Sequence, residues 1–256
     1  MPLEKRLTSE LPPRCRVLVA GWAGPGYSAR IAADYLVEEF RGELLAEIYS
    51  YHFPAHVTVS KEGFVEPVKC SLFKCKVEGD WLLVFSGDEE PLTPEGQFEL
   101  AKEALEIATK LGVREVYIFD AVPGTRENSG EIKVACSDGA LLEQLKEMGF
   151  KPLKAHRVIG VLGMLAGLAS ERRLRTTCLV TGTYTYFTPS GRMVADSRAA
   201  KALLEAFCKL TGLQLDLSRI SREVKLTDSF IAELEAEKRR LLKVALKHEG
   251  GPSYVR

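Results

Sequence analysis

Neither sign of charge dominates this 256-residue chain: 35 lysines and arginines face 35 aspartates and glutamates. That balance excludes an overall basic field of the kind that draws in nucleic acid or anionic membrane. Long apolar runs are missing too, and the opening residues, Met1-Pro-Leu-Glu-Lys-Arg-Leu-Thr8, lack the apolar core of a signal peptide. A cytoplasmic protein with no membrane span is expected. The six cysteines, at 15, 70, 75, 136, 178 and 208, include no CxxC pair and no zinc spacing. Also absent are GxxxxGK[ST], GxGxxG and GxSxG, the motifs that hold nucleotide phosphates, dinucleotides and a nucleophilic serine. The sequence therefore gives no reason to expect a cofactor, a metal or an assembled catalytic site.

What is present is the material of a globular core. Hydrophobic residues make up 46% and charged residues 27%, too apolar for wholesale disorder. After a polar arm over residues 1–13 that ends in Pro12-Pro13, Cys15-Arg-Val-Leu-Val-Ala-Gly21 reads as a buried strand. It closes on a glycine-rich turn, Gly21-Trp-Ala-Gly-Pro-Gly26. A helix should follow, capped by Ser28, carrying Ile31, Tyr35, Leu36 and Phe40 at helical spacing, and ended by Gly42. Leu44 to Tyr49 is a second strand, and Val57 to Val59 and Lys69 to Val77 alternate like antiparallel hairpin strands.

Trp81 to Phe85 is a further buried strand. Thr93 caps a helix bearing Phe98, Leu100, Ala101, Leu105, Ala108 and Leu111, with Gly96 as its weak spot, and Glu115 to Phe119 is the next strand. Strand, helix and strand in that order build parallel sheet covered by helices. The theme repeats as strand Ile132 to Cys136, helix Gly139 to Met148, a glycine-punctuated apolar segment Val158 to Leu168, strand Thr176 to Val180 and helix Ala195 to Leu210. No linker divides residues 14–217, so they are read as one α/β domain with a mixed, mainly parallel sheet. A charged helical extension follows over 218–248, strongest from Thr227 to Lys247, and then a flexible tail over 249–256, where two glycines and a proline break any helix.

Candidate sites are few. The turn with Gly21, Gly24 and Gly26 precedes a helix N-terminus, where backbone amides can hold a phosphate, although most such turns use glycine simply to turn. Asp88, in the acidic loop Asp88-Glu89-Glu90, follows a strand's carboxyl end, where open α/β sheets place ligands. Glu47, Asp120, Asp138 and Asp196 are scattered carboxylates. His52 and His56 are separated by Pro54 and so do not share a helix face. Gly160, Gly163 and Gly167 allow another backbone to approach closely, for core packing or a subunit contact. Cys15, Cys136 and Cys178 read as small core residues, while Cys70 and Cys75, five apart on one strand, point to opposite faces.

The order of these motifs resembles the archaeal and bacterial branch of the family of the second proteasome assembly chaperone, sometimes labelled an ATP-grasp superfamily. The resemblance is carried by Val19-Ala-Gly21, Ala29 to Leu36, Leu45-Ala-Glu-Ile48 with Phe53-Pro54, and Gly87-Asp88 before Pro91. It continues through Leu111-Gly-Val113, Gly160 to Gly167 and Ala199-Ala200. It implies a three-layer α/β/α fold similar to nucleoside phosphorylases, homo- or hetero-oligomers, and non-catalytic chaperone or adaptor work on proteasome α-subunits. No nucleotide motif supports the ATP-grasp label. Some members of the family reach the proteasome with a C-terminal hydrophobic-tyrosine-any tail. Tyr254, Val255 and Arg256 follow that pattern in part, with valine where it has tyrosine. Two alternatives stay open: a nucleoside- or phosphate-binding hydrolase or phosphorylase-like enzyme, and a structural oligomer with an unrelated partner.

Overall fold

The computed structural model describes residues 3–87, 89–188 and 190–248, with side chains described through residue 240. Asp88 and the tail residues Tyr254, Val255 and Arg256 lie outside the described residues.

The apolar runs become the strands β2 (Val17–Gly21), β7 (Asp80–Gly87), β8 (Glu115–Pro123) and β11 (Arg175–Thr183), which lie side by side and parallel in the middle of one sheet. Five further strands complete it: β1 (Leu3–Leu7), β3 (Glu43–Ser50), β6 (Cys70–Val77), β9 (Ile132–Cys136) and β10 (Lys151–Pro152). The order is β1-β3-β6-β7-β2-β8-β11-β9-β10, antiparallel from β1 to β7 and between β11 and β9, and parallel again from β9 to β10. Two ribbons stand apart: β4 (Val57–Val59) with β5 (Val65–Pro67), and β12 (Tyr186–Phe187) with β13 (Met193–Val194). The alternation at Val57 to Val59 thus makes a small exposed ribbon instead of joining the main sheet. Within the expected N-terminal arm, residues 3–7 do more than form an arm, because β1 pairs with β3 and becomes the sheet's edge.

Helices cover both faces, giving three layers. On one face α2 (Pro94–Lys110) and α4 (Gly160–Glu171) pack over Leu18, Ala20, Phe85, Ile118 and Val180. On the other, α1 (Ser28–Glu39), α3 (Gly139–Glu147), α5 (Ser197–Thr211) and the start of α6 (Ser218–His248) pack over Val19, Val84, Phe119 and Leu179. The alternating residues of each central strand divide between these two cores because side chains of a strand point to opposite faces. Cys70 and Cys75 divide the same way, one in each core. Aromatic pairs anchor both: Trp22 meets Phe85 edge-on at 5.1 Å, and Phe207 meets Tyr117 at 5.1 Å and Phe119 at 5.7 Å. Full burial of a side chain such as Phe85 or Phe207 contributes about 2–3 kcal/mol.

Local signals set most helix ends. Thr93 accepts from the Gly96 amide at 3.1 Å and Asp138 from the Leu141 amide at 2.9 Å, each satisfying an N-terminal donor. Gly96 is also required sterically, since a Cβ there would lie 2.3 Å from Cβ of His52. Two expectations need correction. Ser28 does not cap α1; it is the first helical residue, and its hydroxyl donates to Thr183 Oγ1 at 3.2 Å. The helix expected from Ala195 begins at Ser197, because Asp196 is its N-cap and accepts from the Ala199 amide at 3.0 Å. Gly160, Gly163 and Gly167 likewise do different work. Gly160 faces the Glu90 carboxylate, Gly163 faces the carbonyl of Val158 just before its own helix, and Gly167 has open space around it.

Candidate functional site

The carboxyl ends of β2, β7, β8 and β11 converge, as they must in a parallel sheet, on the region where ligands of such folds bind. Gly21 ends β2, Gly24 and Gly26 lie on the turn that follows, and β11 brings Thr183 beside them. Two of the three glycines serve close packing. A Cβ on Gly21 would lie 2.4 Å from the Ala29 carbonyl oxygen, so glycine lets α1 press onto the strand end. Gly26 sits at φ +62°, and a Cβ there would lie 2.3 Å from Thr183 Oγ1. Gly24 alone of the three meets nothing within 4 Å.

Asp196 is the polar centre of this corner and is buried. Its Oδ2 accepts from the Ser129 hydroxyl at 2.7 Å, the Thr183 hydroxyl at 2.9 Å and the Tyr184 amide at 3.0 Å, while Oδ1 caps α5. Its own amide donates to the Gly26 carbonyl at 2.8 Å, which ties the turn to the helix cap. An anion approaching this turn would find the first turn of α1 without a side-chain cap. Arg30 of α1 is already held by Asp34 at 2.9 and 2.7 Å and by the Gly87 carbonyl.

On the other side of the sheet, the loop after β7 places Glu90 against the start of α4. Glu90 Oε1 accepts from the Val161 amide at 3.2 Å, which compensates for Ile159, an N-cap with no side-chain acceptor. Burial pushes the Glu90 carboxyl above the ordinary carboxylate range and Asp120 adds to this, while the Val161 amide works the other way. Asp120, on β8, is raised by burial as well, opposed by the Ala121 amide and by His156. Burial also pushes the thiols of Cys15, Cys75 and Cys178 up to about 12, so they are poor nucleophiles.

The remaining candidates are spread out. Glu47 pairs with Lys69 at 2.8 Å and accepts from Tyr49, which holds its carboxyl below the usual range. Asp138 caps α3, and His52 shares a hydrogen bond of 2.8 Å with Thr93. Among the described residues no three of His, Cys, Asp and Glu converge closely enough to hold a metal ion, and no helix is long and apolar enough to cross a membrane. Starting the helix at Ala195 misses Asp196 as its cap, although a short polar residue before an apolar helical pattern is the signal that could have found it. Glu90 gives no such signal, because its partner is 71 residues away.

The fold and this corner define an α/β/α protein whose strand ends are closed by internal hydrogen bonds. The PAC2 family matches over residues 18–235, and the chain belongs to that family. An uncharacterised protein of Methanocaldococcus jannaschii is 30% identical over 232 residues, 90% of this chain and 86% of that one. PbaB of Pyrococcus furiosus, an archaeal proteasome activator, superposes with a TM-score of 0.80 at 23% identity, covering 91% of this chain and 99% of PbaB. PbaA of the same organism, an archaeal homologue of a proteasome-assembly chaperone, gives 0.72 at 21% identity, covering 98% and 100%.

Proposed function

We propose that this protein is a non-catalytic, oligomeric chaperone or adaptor that engages proteasome α-subunits or their assembly intermediates, partly through Tyr254, Val255 and Arg256. The observation that carries the reading is the family match over residues 18–235 together with the likeness of the whole fold to PbaB and PbaA. The chemistry of the strand ends agrees with it. Asp196 and Glu90 are engaged in capping, and Gly21 and Gly26 are filled by their neighbours, so a nucleoside- or phosphate-binding enzyme is the weaker reading.

The long C-terminal helix suits a presenting role. Its start is fixed to the core by the buried residues Ile220 and Ile231, and by Asp228, which pairs with Arg198 at 2.6 Å and approaches Arg126 at 3.9 Å. Beyond these anchors it runs on with exposed, charged residues such as Lys238 and Arg239 towards residue 248. An oligomer offering several such tails to a ring would gain by multivalency, so each contact can be weak.

Removal of Ser253 to Arg256 should leave the fold and oligomer unchanged, as read by circular dichroism and light scattering, and should abolish capture of proteasome α-subunits. Undiminished capture would overturn the tail mechanism, and failure of the full-length protein to retain any α-subunit would overturn the reading itself.

A further inference from the structure

At the opposite end of the parallel strands, below β2 and β7, lies a cavity of about 280 Å³. It lies on the same face of the sheet as α5, whose last turn forms one wall. Its floor is apolar: Val17, Val77, Leu82, Phe207, Leu210 and Leu213. Its mouth is charged, formed by Arg16, Glu78, Asp80 and Glu115.

The charges at the mouth do not cancel. Arg16 is committed to Glu115, with contacts of 2.8 and 3.1 Å, and the other oxygen of Glu115 accepts from the Tyr117 hydroxyl at 3.0 Å. Asp80 accepts from the amide of the adjacent Trp81 at 2.8 Å, and among the described residues neither Asp80 nor Glu78 has an ion-pair partner. The carboxyl end of α5 adds the negative end of its dipole at the wall formed by Leu210 and Thr211. Lys209, the basic residue of that last turn, points elsewhere, to the Met148 carbonyl and the Phe150 ring. Three carboxylates against the one guanidinium of Arg16, with a helix carboxyl terminus beside them, therefore rim an apolar hollow.

We propose that this cavity binds a small organic cation, an amine or guanidinium on an apolar body, with its charge at Glu78 and Asp80 and its body against Leu210 and Leu213. The size favours this class. About 280 Å³ lies just below the range of small-molecule pockets, whereas a protein partner needs a surface of roughly 800 Å². The apolar floor supplies affinity by removing hydrocarbon from water, and the carboxylates select for positive charge over a neutral body of the same shape. The site is independent of the proteasome reading, because it uses neither the tail nor the strands' carboxyl ends.

The test uses the full chain and 4-phenylbutylammonium as the probe. Leu82, Leu210 and Leu213 line the cavity on the α5 face, so their methyl resonances report binding in a carbon-proton NMR titration. The expected result is saturable binding that is about tenfold weaker for the neutral 4-phenylbutanol, a loss of one favourable charge contact. Glu78→Gln with Asp80→Asn, both exposed positions, should weaken the ammonium to the level of the alcohol. Absence of saturation at millimolar probe, equal binding of alcohol and ammonium, or undiminished binding by the double variant would each overturn the proposal.

Discussion

At the carboxyl ends of the parallel strands the polar groups answer one another. Asp196 takes donors from Ser129, Thr183, Tyr184 and Ala199, and Glu90 caps α4 from the neighbouring loop. At the amino ends the reverse holds: Glu78 and Asp80 stand without ion-pair partners among the described residues, at the mouth of a cavity with an apolar floor. Parallel α/β sheets usually bind ligands at the first of these ends. The difference shows that position in the fold creates an opportunity, and that hydrogen-bond accounting decides whether it is still open. A carboxylate with four donors contributes to stability, whereas one facing solvent at the mouth of a hollow can recognise something else.

This contrast can be broken by substitution, and the largest effect should come from Asp196. Asp196→Ala removes the cap of α5 and strands the Tyr184 amide and two hydroxyls in a buried corner, which should cost about 3 kcal/mol in urea unfolding. A loss below about 1 kcal/mol would mean that the strand ends are not held by this centre.

Glu90 should give a smaller and pH-dependent effect. Its folded-state pKa is raised above the ordinary value, so its contribution to stability is fully present at acid pH and is lost as pH rises through that raised value. Glu90→Gln stays neutral and keeps an acceptor for the Val161 amide. It should therefore match the parent below about pH 4 and equal or exceed it at neutral pH. At this half-buried site solvent screening should hold the gain under about 1 kcal/mol. Chemical unfolding across pH 4 to 7 measures it, and a gap that widened on acidification would reverse the assignment.

The least effect belongs to the amino end. Glu78→Gln with Asp80→Asn breaks no ion pair found among the described residues, and should change stability by no more than about 0.5 kcal/mol in the same unfolding assay. A larger loss would show that these carboxylates are structural and remove the contrast between the two ends.

Much of the architecture was legible in the chain. The runs at Val17 to Gly21 and Trp81 to Phe85, the Thr93 cap and the split of Cys70 from Cys75 depend on residues within a few positions of one another, the range over which pleat and capping rules act. Partnership between distant segments was not legible. The ribbon at Val57 to Val59 alternates like any sheet strand, and nothing local says that it stays outside the main sheet. The arm at residues 3–7 looks polar because an edge strand needs little apolar surface, and only its pairing with β3 makes it part of the sheet.

The sequence by itself determined an α/β protein with helices on both faces of a mixed sheet, together with the motif order of its family, since periodicity, glycine and capping residues act locally. The tertiary structure alone decided which carboxylates are engaged and which are free. Asp196 meets Ser129 across 67 residues and Glu90 meets Val161 across 71, and no pattern within a segment encodes which distant donor its path will bring within hydrogen-bonding distance.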